Sequence, residues 1–381
     1  MISCIKNVHI VLENEIVFGS VQLEDGKIKS IIKHDEPNSN GDEFFYLVPG
    51  FIDVHIHGSN GHDAMDHQNK DAVEQMALSL VKEGTTAFLP TTMTQTVENI
   101  TKSLAGIKTY YDNQNKSATK VLGIHLEGPF INVLAAGAQP KACVVYPTIA
   151  QFDAYNKASG HLIKKVSVAP EVQNGLELIR HLKDNHIIAS IAHTKATYEI
   201  VKEALKAGAT SLTHTYNAMT PLHHRDVGVV GAALLHNELS SELIFDKIHV
   251  CVEASKILFN AKGEDNIILI TDSMRAKWLE EGISELGGQK VYIKNNEARL
   301  EDGTLAGSIL KMIDGYKNLV NDLSLSLPQA SKLASANPAK QLNVFDQMGS
   351  ITEGKCADLV LLDSNLNIKQ TIIDGHIVYK G

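Results

Sequence analysis

One pattern repeats eight times through the middle of the chain. A short run dense in apolar, often β-branched residues is followed by a longer segment whose apolar positions recur at the spacing of a helix face. The runs are LVPGFIDVHIH (47–57), TAFLPTT (86–92), KVLGIHLEG (120–128), IKKVSVAPE (163–171), HIIASIAHT (186–194), TSLTHTYN (210–217), ELIFDKIHV (242–250) and NIILITDS (266–273). Between them lie stretches such as DAVEQMALSLVKEG, NGLELIRHLKDN and ATYEIVKEALKAG. The first and third of these stop at glycine, as helix C-termini often do. Strands buried on both faces read as continuous apolar runs, and parallel neighbours need a crossover, usually a helix. Eight such units predict an α/β chain folded as a (β/α)₈ TIM-type barrel rather than an open doubly wound sheet. Neither G-x-G-x-x-G nor a Walker A loop follows the early runs, which argues against a nucleotide-binding version of the open sheet.

The two ends follow another rhythm. CIKNVHIVL, EIVFGSVQLE and KIKSIIKH alternate apolar with polar residues and are separated by turn signals such as Glu24-Asp25-Gly26. ADLVLLD and IKQTIIDGHIVYKG do the same near the other end, with Asp374-Gly375 as a hairpin signal. The expected division is a small β-sandwich domain built from residues 1–46 and 347–381 around a barrel of residues 47–346. After the eighth run, GGQKVYIKNNEARLEDGTLAGS (287–308) predicts an inserted hairpin, and ILKMIDGYKNLVNDL and PQASKLASANPAKQLN predict two helices.

Composition narrows the partners. With 381 residues the chain can bury a sizeable core, and its formal net charge of −9 argues against nucleic acid or an anionic membrane as a partner. An anionic substrate needs a local basic pocket. Cys4, Cys143, Cys251 and Cys356 are scattered with no C-x-x-C pair. That pattern disfavours a disulfide framework or a thiolate zinc site and fits a reducing compartment. MISCIKNVHIVLENE lacks a basic segment followed by an apolar one, and no run is long enough to span a bilayer. The expectation is a cytoplasmic protein.

Candidate chemistry appears once acids and imidazoles are placed on the strand map. His55 and His57 end the first run, Glu127 the third, His193 the fifth and Asp272 the eighth, while His214 falls late in the sixth. Residues i and i+2 of a strand share a face, so the first two imidazoles point together. In a barrel these strand ends meet at the C-terminal mouth, where catalytic groups sit. Histidines retained for packing have no reason to choose strand ends so consistently. Imidazoles with carboxylates suit divalent Zn, Fe, Mn or Co and leave coordination positions open for water. Asp272, alone at the end of IILITD, suits proton transfer, its ordinary alternative being a helix N-cap. His9, His34, His161, His181, His186, His236 and His376 lie away from the mouth and read as ordinary residues. His62 and His67 sit in the first loop, with no spacing that demands a role.

PGFIDVHIHG, HLEGPF, VSVAPE, IAHTKATYE, THTYNAM, TDSM and GTLAGS occur in that order. From about Pro49 to Asn343 the chain thereby resembles the N-acetylglucosamine-6-phosphate deacetylases of the amidohydrolase superfamily. H-x-H alone marks the superfamily; HLEGPF followed by AHTKAT and HTYNAM marks this group. The resemblance implies a cytoplasmic hydrolase that releases acetate from a phosphorylated amino sugar. It implies Glu127, His193 and His214 as ligands of the principal divalent ion and His55 and His57 as ligands of a second, one or two per subunit. Glu127 stands in for the carboxylated lysine that many superfamily members carry on strand four. Asp272 is implied as general base and then general acid. Asn217 and the Ala218 backbone, with Arg225 and His249, are implied to hold the sugar phosphate. The family is typically homodimeric, the arginine reaching a neighbouring subunit's site.

Three positions depart from the family pattern. Gln139 follows Gly137 and Ala138 where a histidine that can polarise the amide carbonyl is frequent; glutamine donates a hydrogen bond but carries no charge. Lys247 replaces glycine before His249, either adding positive charge or facing solvent. Ser273 and Met274 follow Asp272 and are expected to tune packing alone. Among competing readings, a cyclic-amide hydrolase or nucleobase deaminase would lack the phosphate residues Arg225 and His249. A galactosamine-specific deacetylase shares all the chemistry and differs at one hydroxyl. A non-catalytic barrel would have lost ligands or the acid–base group, and here the whole set is present.

Overall fold

The computed structural model describes residues 3–35 and 44–381. The eight apolar runs become eight parallel strands: Phe51–Ile56, Thr85–Pro90, Ile124–Glu127, Ile163–Val168, Ile188–Ile191, Ser211–Leu212, Ser240–Ile244 and Ile267–Ile270. Strands three to eight form one six-stranded ladder; strand one pairs with strand two, which in turn pairs with the short strand Lys120–Val121. The ring closes where Thr91 bridges to His125 and Ile56 to Ser273. The backbone N–H of Thr92 donates to His125 O at 3.0 Å and that of Asp272 to His55 O at 2.8 Å.

Helices cover the strands as the pattern requires. Tyr198–Ala207 is capped by the Thr197 side chain, stopped by Gly208 in the left-handed conformation, and buries Val201, Ala204 and Ala207. These side chains join Phe88, Leu126, Val166, Ile191 and Leu212 in the largest apolar cluster. The two expected C-terminal helices are Met312–Asp322 and a run from Leu327 to Gln341, interrupted by a π-helical turn over Lys332–Ala336.

Two boundaries differ from the pattern. The first apolar run is split: Phe45–Pro49 joins the terminal sheet, and only Phe51–Ile56 enters the barrel. The split falls at Gly50, where a Cβ would lie 2.2 Å from Thr86 Oγ1. The insert begins earlier than expected, at Gly282, and is a three-stranded antiparallel sheet of Gly282–Leu286, Gln289–Lys294 and Glu297–Arg299. It is tied to the barrel mouth by Gln95 Nε2 donating to Gly287 O at 3.0 Å and Gln289 Nε2 donating to Ala138 O at 2.6 Å.

The β-sandwich layers expected from the termini are hydrogen-bonded as one continuous seven-stranded sheet. Its order is His376–Lys380, Ile368–Ile373, Leu359–Asp363, Phe45–Pro49, Cys4–Val11, Ile16–Glu24 and Lys27–Lys33. Val8, Ile10, Val21, Leu23, Leu47, Leu359 and Ile372 pack on it as a separate apolar cluster. Among the described residues no helix is long and apolar enough to cross a membrane.

Candidate metal and substrate site

Each ligand predicted from a strand end reaches one point at the barrel mouth. Glu127 Oε1 lies 3.1 Å from His214 Nε2, 3.4 Å from His193 Nε2 and 3.5 Å from His55 Nε2, while its Oε2 is 3.1 Å from His57 Nε2. Asp272 Oδ1 is 3.3 Å from His55 Nε2 and 3.2 Å from His57 Nε2. Two ligand triads result, Glu127 with His193 and His214, and Asp272 with His55 and His57, with Glu127 between them. The backbone breaks from the strand to aim these groups: φ is +42° at His193, +34° at His214 and +48° at Asp272. Such values are uncommon outside glycine and cluster at functional sites.

The ring orientations test whether the site fits a metal. Nδ1–H of His193 donates to Ala135 O at 2.8 Å, that of His57 to Thr91 O at 3.2 Å, and that of His55 to Glu242 Oε2 at 3.1 Å. Each ring therefore turns the lone pair of Nε2 inward. His193 and His214 Nε2 stand 3.1 Å apart, and those of His55 and His57 3.3 Å apart. Lone pairs and carboxylates so close repel unless positive charge sits among them. With no cation among these groups His57 takes up a proton itself: burial opposes the charge, yet hydrogen bonds to Asp272 and Glu127 outweigh it and push its pKa up to about 9. Burial would raise Glu127, but its histidine neighbours hold it well below the usual carboxylate range. The pocket is built to receive cationic charge. Nitrogen and oxygen donors without thiolate suit a divalent ion of the Zn, Fe, Mn and Co group.

A cavity of about 360 Å³ opens onto this cluster, lined by Gln139, Asn217, Ala218 and His249 beside the ligands. His249 is fixed by its Nδ1–H donating to Asp246 Oδ2 at 2.6 Å, and Asp246 also accepts the backbone N–H groups of Ile248 and His249. A larger neighbouring cavity of about 580 Å³, lined by Lys247, Trp278 and Lys311, lies outside the ligand cluster. Lys247 turns there and pairs with Asp322 at 3.1 Å, so it adds no charge to the smaller cavity. Ser273 hydrogen-bonds Gly58 O and Met274 is buried, in keeping with a packing role.

Two sequence expectations change. Gln139 lines the cavity, but its Nε2 donates to Glu127 Oε2 at 2.8 Å and its Oε1 accepts Thr94 N–H at 2.7 Å. Its amide therefore orients the Glu127 carboxylate, a contact that sequence reasoning did not foresee. Arg225 does not line the cavity of its own chain. It is exposed on the turn closed by His223 and Asp226, its guanidinium 2.6 Å from His224 Nε2.

Sequence reasoning missed a layer of buried polar groups beneath this cluster. Glu242 Oε2 accepts from His55 Nδ1 and from the backbone N–H of His214, both at 3.1 Å, and its other oxygen pairs with Lys165. His125 stacks edge-on to His55 with centroids 4.6 Å apart and bonds Ser167 Oγ at 2.8 Å. Ser167 in turn meets Thr213 Oγ1 at 2.8 Å. Strands four and six are not neighbours, so these contacts run through the barrel interior. A signal was present: Lys165 sits inside one apolar run and Glu242 opens another, and buried charges come in pairs.

The sequence profile of the Amidohydrolase family matches residues 46–378. The chain is 45% identical to the N-acetylglucosamine-6-phosphate deacetylase of Bacillus subtilis (strain 168), over 98% of its own length and 96% of that protein's. It superposes on the crystal structure of N-acetylglucosamine-6-phosphate deacetylase from Thermotoga maritima with a TM-score of 0.91 at 34% identity, covering 99% of this chain and 100% of that one. The Mycobacterium smegmatis deacetylase, solved as a variant in complex with N-acetyl-D-glucosamine-6-phosphate, gives 0.92 at 25% identity, with 99% of each chain covered.

Proposed function

The chain belongs to the amidohydrolase family, and from that footing we propose that it hydrolyses N-acetyl-D-glucosamine 6-phosphate to D-glucosamine 6-phosphate and acetate. The observation that carries this reading is the convergence of four inward-turned imidazoles and two carboxylates on the cavity that Asn217, Ala218 and His249 line. Glu127, His193 and His214 would hold the principal divalent ion, and His55 and His57 a second, so that one or two ions of Zn, Fe, Mn or Co would serve each chain. A divalent ion supplies Lewis-acid polarisation and lowers the pKa of a bound water from about 16 to about 7.

The protein groups do the rest. Gln139 keeps Glu127 oriented. Asp272 accepts a proton from the attacking water as the water oxygen bonds to the acetyl carbon, then returns it to the nitrogen as the C–N bond breaks. Acetate leaves with the water oxygen and the sugar leaves as the amine. Asn217, the Ala218 backbone and His249 face the phosphate. Arg225, exposed on its turn, supports a homodimer in which it completes the neighbouring subunit's site. The acidic net charge supports an enzyme with no nucleic-acid or membrane partner, and the four free, scattered cysteines support a reducing, cytoplasmic compartment. We take residues 1–46 with 347–381 as its small β domain, extended to Pro49 by the strand Phe45–Pro49, and the remainder of 47–346, from Phe51 on, as its catalytic barrel.

Two measurements test this reading. His193→Ala removes an imidazole from the principal triad, and elemental analysis should find that ion lost; full metal content in the variant would refute the assignment. Arg225→Ala should lower kcat/KM for the phosphorylated sugar by roughly 10²-fold, the scale of one or two charge-assisted bonds. Its discrimination against unphosphorylated N-acetylglucosamine should collapse in step. Equal losses on both sugars would remove Arg225 from phosphate recognition. Failure of the wild type to release acetate from the phosphorylated sugar would overturn the function itself.

A further inference from the structure

We infer that Lys195 binds the substrate phosphate in cis, as the site's own cation; the inference rests on the deacetylase reading above. Among the residues lining the 360 Å³ cavity, Lys195 is the sole lysine or arginine. The other charged groups on that wall include the Glu127 and Asp272 carboxylates, and Arg225 lies outside it. A dianionic phosphate approaching a chain of net charge −9 needs a cation at the pocket itself.

The backbone around Lys195 is pinned where such a cation is useful. Glu171 accepts the Lys195 N–H through Oε1 and the Thr194 hydroxyl through Oε2, both at 2.5 Å, and Asn132 Nδ2 donates to Oε1 at 2.8 Å. Thr194 N–H donates to Ala218 O at 3.0 Å, and Thr220 Oγ1 donates to Ala196 O at 2.8 Å. The loop after strand five is thereby stitched to the segment carrying Asn217 and Ala218. Glu171 holds the main chain of Lys195 and leaves its ammonium alone: among the described residues the Lys195 side chain has neither ion pair nor hydrogen bond, and it is exposed. An exposed lysine kept only for solubility needs no such anchored main chain and no place on a cavity wall. An ammonium is a point charge with three rotatable donors, suited to phosphate oxygens without demanding one geometry.

The test compares Lys195→Ala, Lys195→Arg and the parent on phosphorylated and unphosphorylated N-acetylglucosamine, with inorganic phosphate as a competing probe. Lys195→Ala should raise KM for the phosphorylated sugar more than it lowers kcat. The preference for that sugar should fall roughly 10- to 100-fold, as for one charge-assisted bond, inhibition by phosphate should weaken alongside, and arginine should restore most of both. A preference that survives in Lys195→Ala overturns the inference and leaves the deacetylase reading standing. A parent enzyme with no preference for the phosphorylated sugar overturns that reading, and the inference with it. Hybrid dimers test the cis assignment. A Lys195→Ala subunit paired with an Asp272→Asn subunit leaves each site with a defect and should stay impaired. An active hybrid would place Lys195 in the neighbour's site and overturn the assignment.

Discussion

The Asp272→Asn protein should keep the ion held by Glu127, His193 and His214 and its affinity for the sugar phosphate while turning over at least about 10³-fold more slowly, towards the upper end of what general acid–base groups contribute. The substitution is mild in structural terms. The strand end is held by main-chain bonds that the change does not touch, Asp272 N–H to His55 O and Ser308 N–H to Asp272 O, each 2.8 Å. The carboxylate is kept ionised: burial would raise its pKa, but His55 and His57 outweigh burial and lower it below the usual value. It is therefore a base ready to take a proton, in contact with the cavity where water and amide meet. An amide can neither accept that proton nor return one to the leaving nitrogen, so both halves of the reaction suffer. Elemental analysis, calorimetric titration with the sugar phosphate and acetate release together isolate the effect. Near-normal turnover with metal in place would assign the proton transfer to another group.

Lys165→Met should destabilise the metal-free protein by about 3–5 kcal/mol at neutral pH, the cost of removing one partner from a buried ion pair. Lys165 and Glu242 are both fully buried. Burial alone would raise the Glu242 pKa, whereas Lys165 and His55 hold it at about 2. A carboxylate with a depressed folded-state pKa adds stability above its unfolded value of about 4.3, and that contribution fades as pH falls towards the folded value. Without Lys165 the carboxylate must either stay charged and unpaired or take up a proton. The deficit of the variant should therefore be largest near pH 7 and shrink on acidification towards pH 4. Adding Glu242→Gln should recover much of the loss. The amide oxygen can still accept from His55 Nδ1 and the His214 N–H, and no charge remains without a partner. Denaturant titrations of the parent, single and double variants at two pH values decide the matter. A double variant no more stable than Lys165→Met would mean that the loss comes from packing rather than charge.

These two residues also mark how far reading the chain could go. The eight strands were legible because parallel strands buried on both faces carry dense apolar runs, and the convergence of acids and imidazoles because the fold brings strand ends to one mouth. His55 and His57 announced themselves by a two-residue spacing that any strand converts into a shared face. Lys165 was visible as a charge inside an apolar run and Glu242 as a charge at the head of another, but their meeting depends on which strands face each other across the barrel, information spread over the whole ring. In the sequence Gln139 offers a hydrogen-bond donor towards a substrate; its bond to Glu127 depends on a loop folding back over the end of strand three. The apolar run through Gly50 shows no break in its pattern, so nothing in periodicity reveals that it serves two sheets. The strand Gly282–Leu286 is mostly exposed and carries little apolar signal, which hid the third strand of the insert.

The junction at Gly50 limits how the gene for such a chain can drift. Loops ordinarily absorb added or lost residues, since length changes at the surface cost little. Here one glycine separates a strand of the terminal sheet from the strand that carries His55 and His57, and Thr86 leaves no room for a larger residue. Alternation in a strand has a period of two, so a slip of one residue would turn both imidazoles to the opposite face together. Insertions and deletions should therefore be purged at this point even where substitutions on either side are accepted. In a library of single-codon indels, the Gly50 junction should stand out as a gap among survivors, whereas the turn around Asp25-Gly26 should admit them.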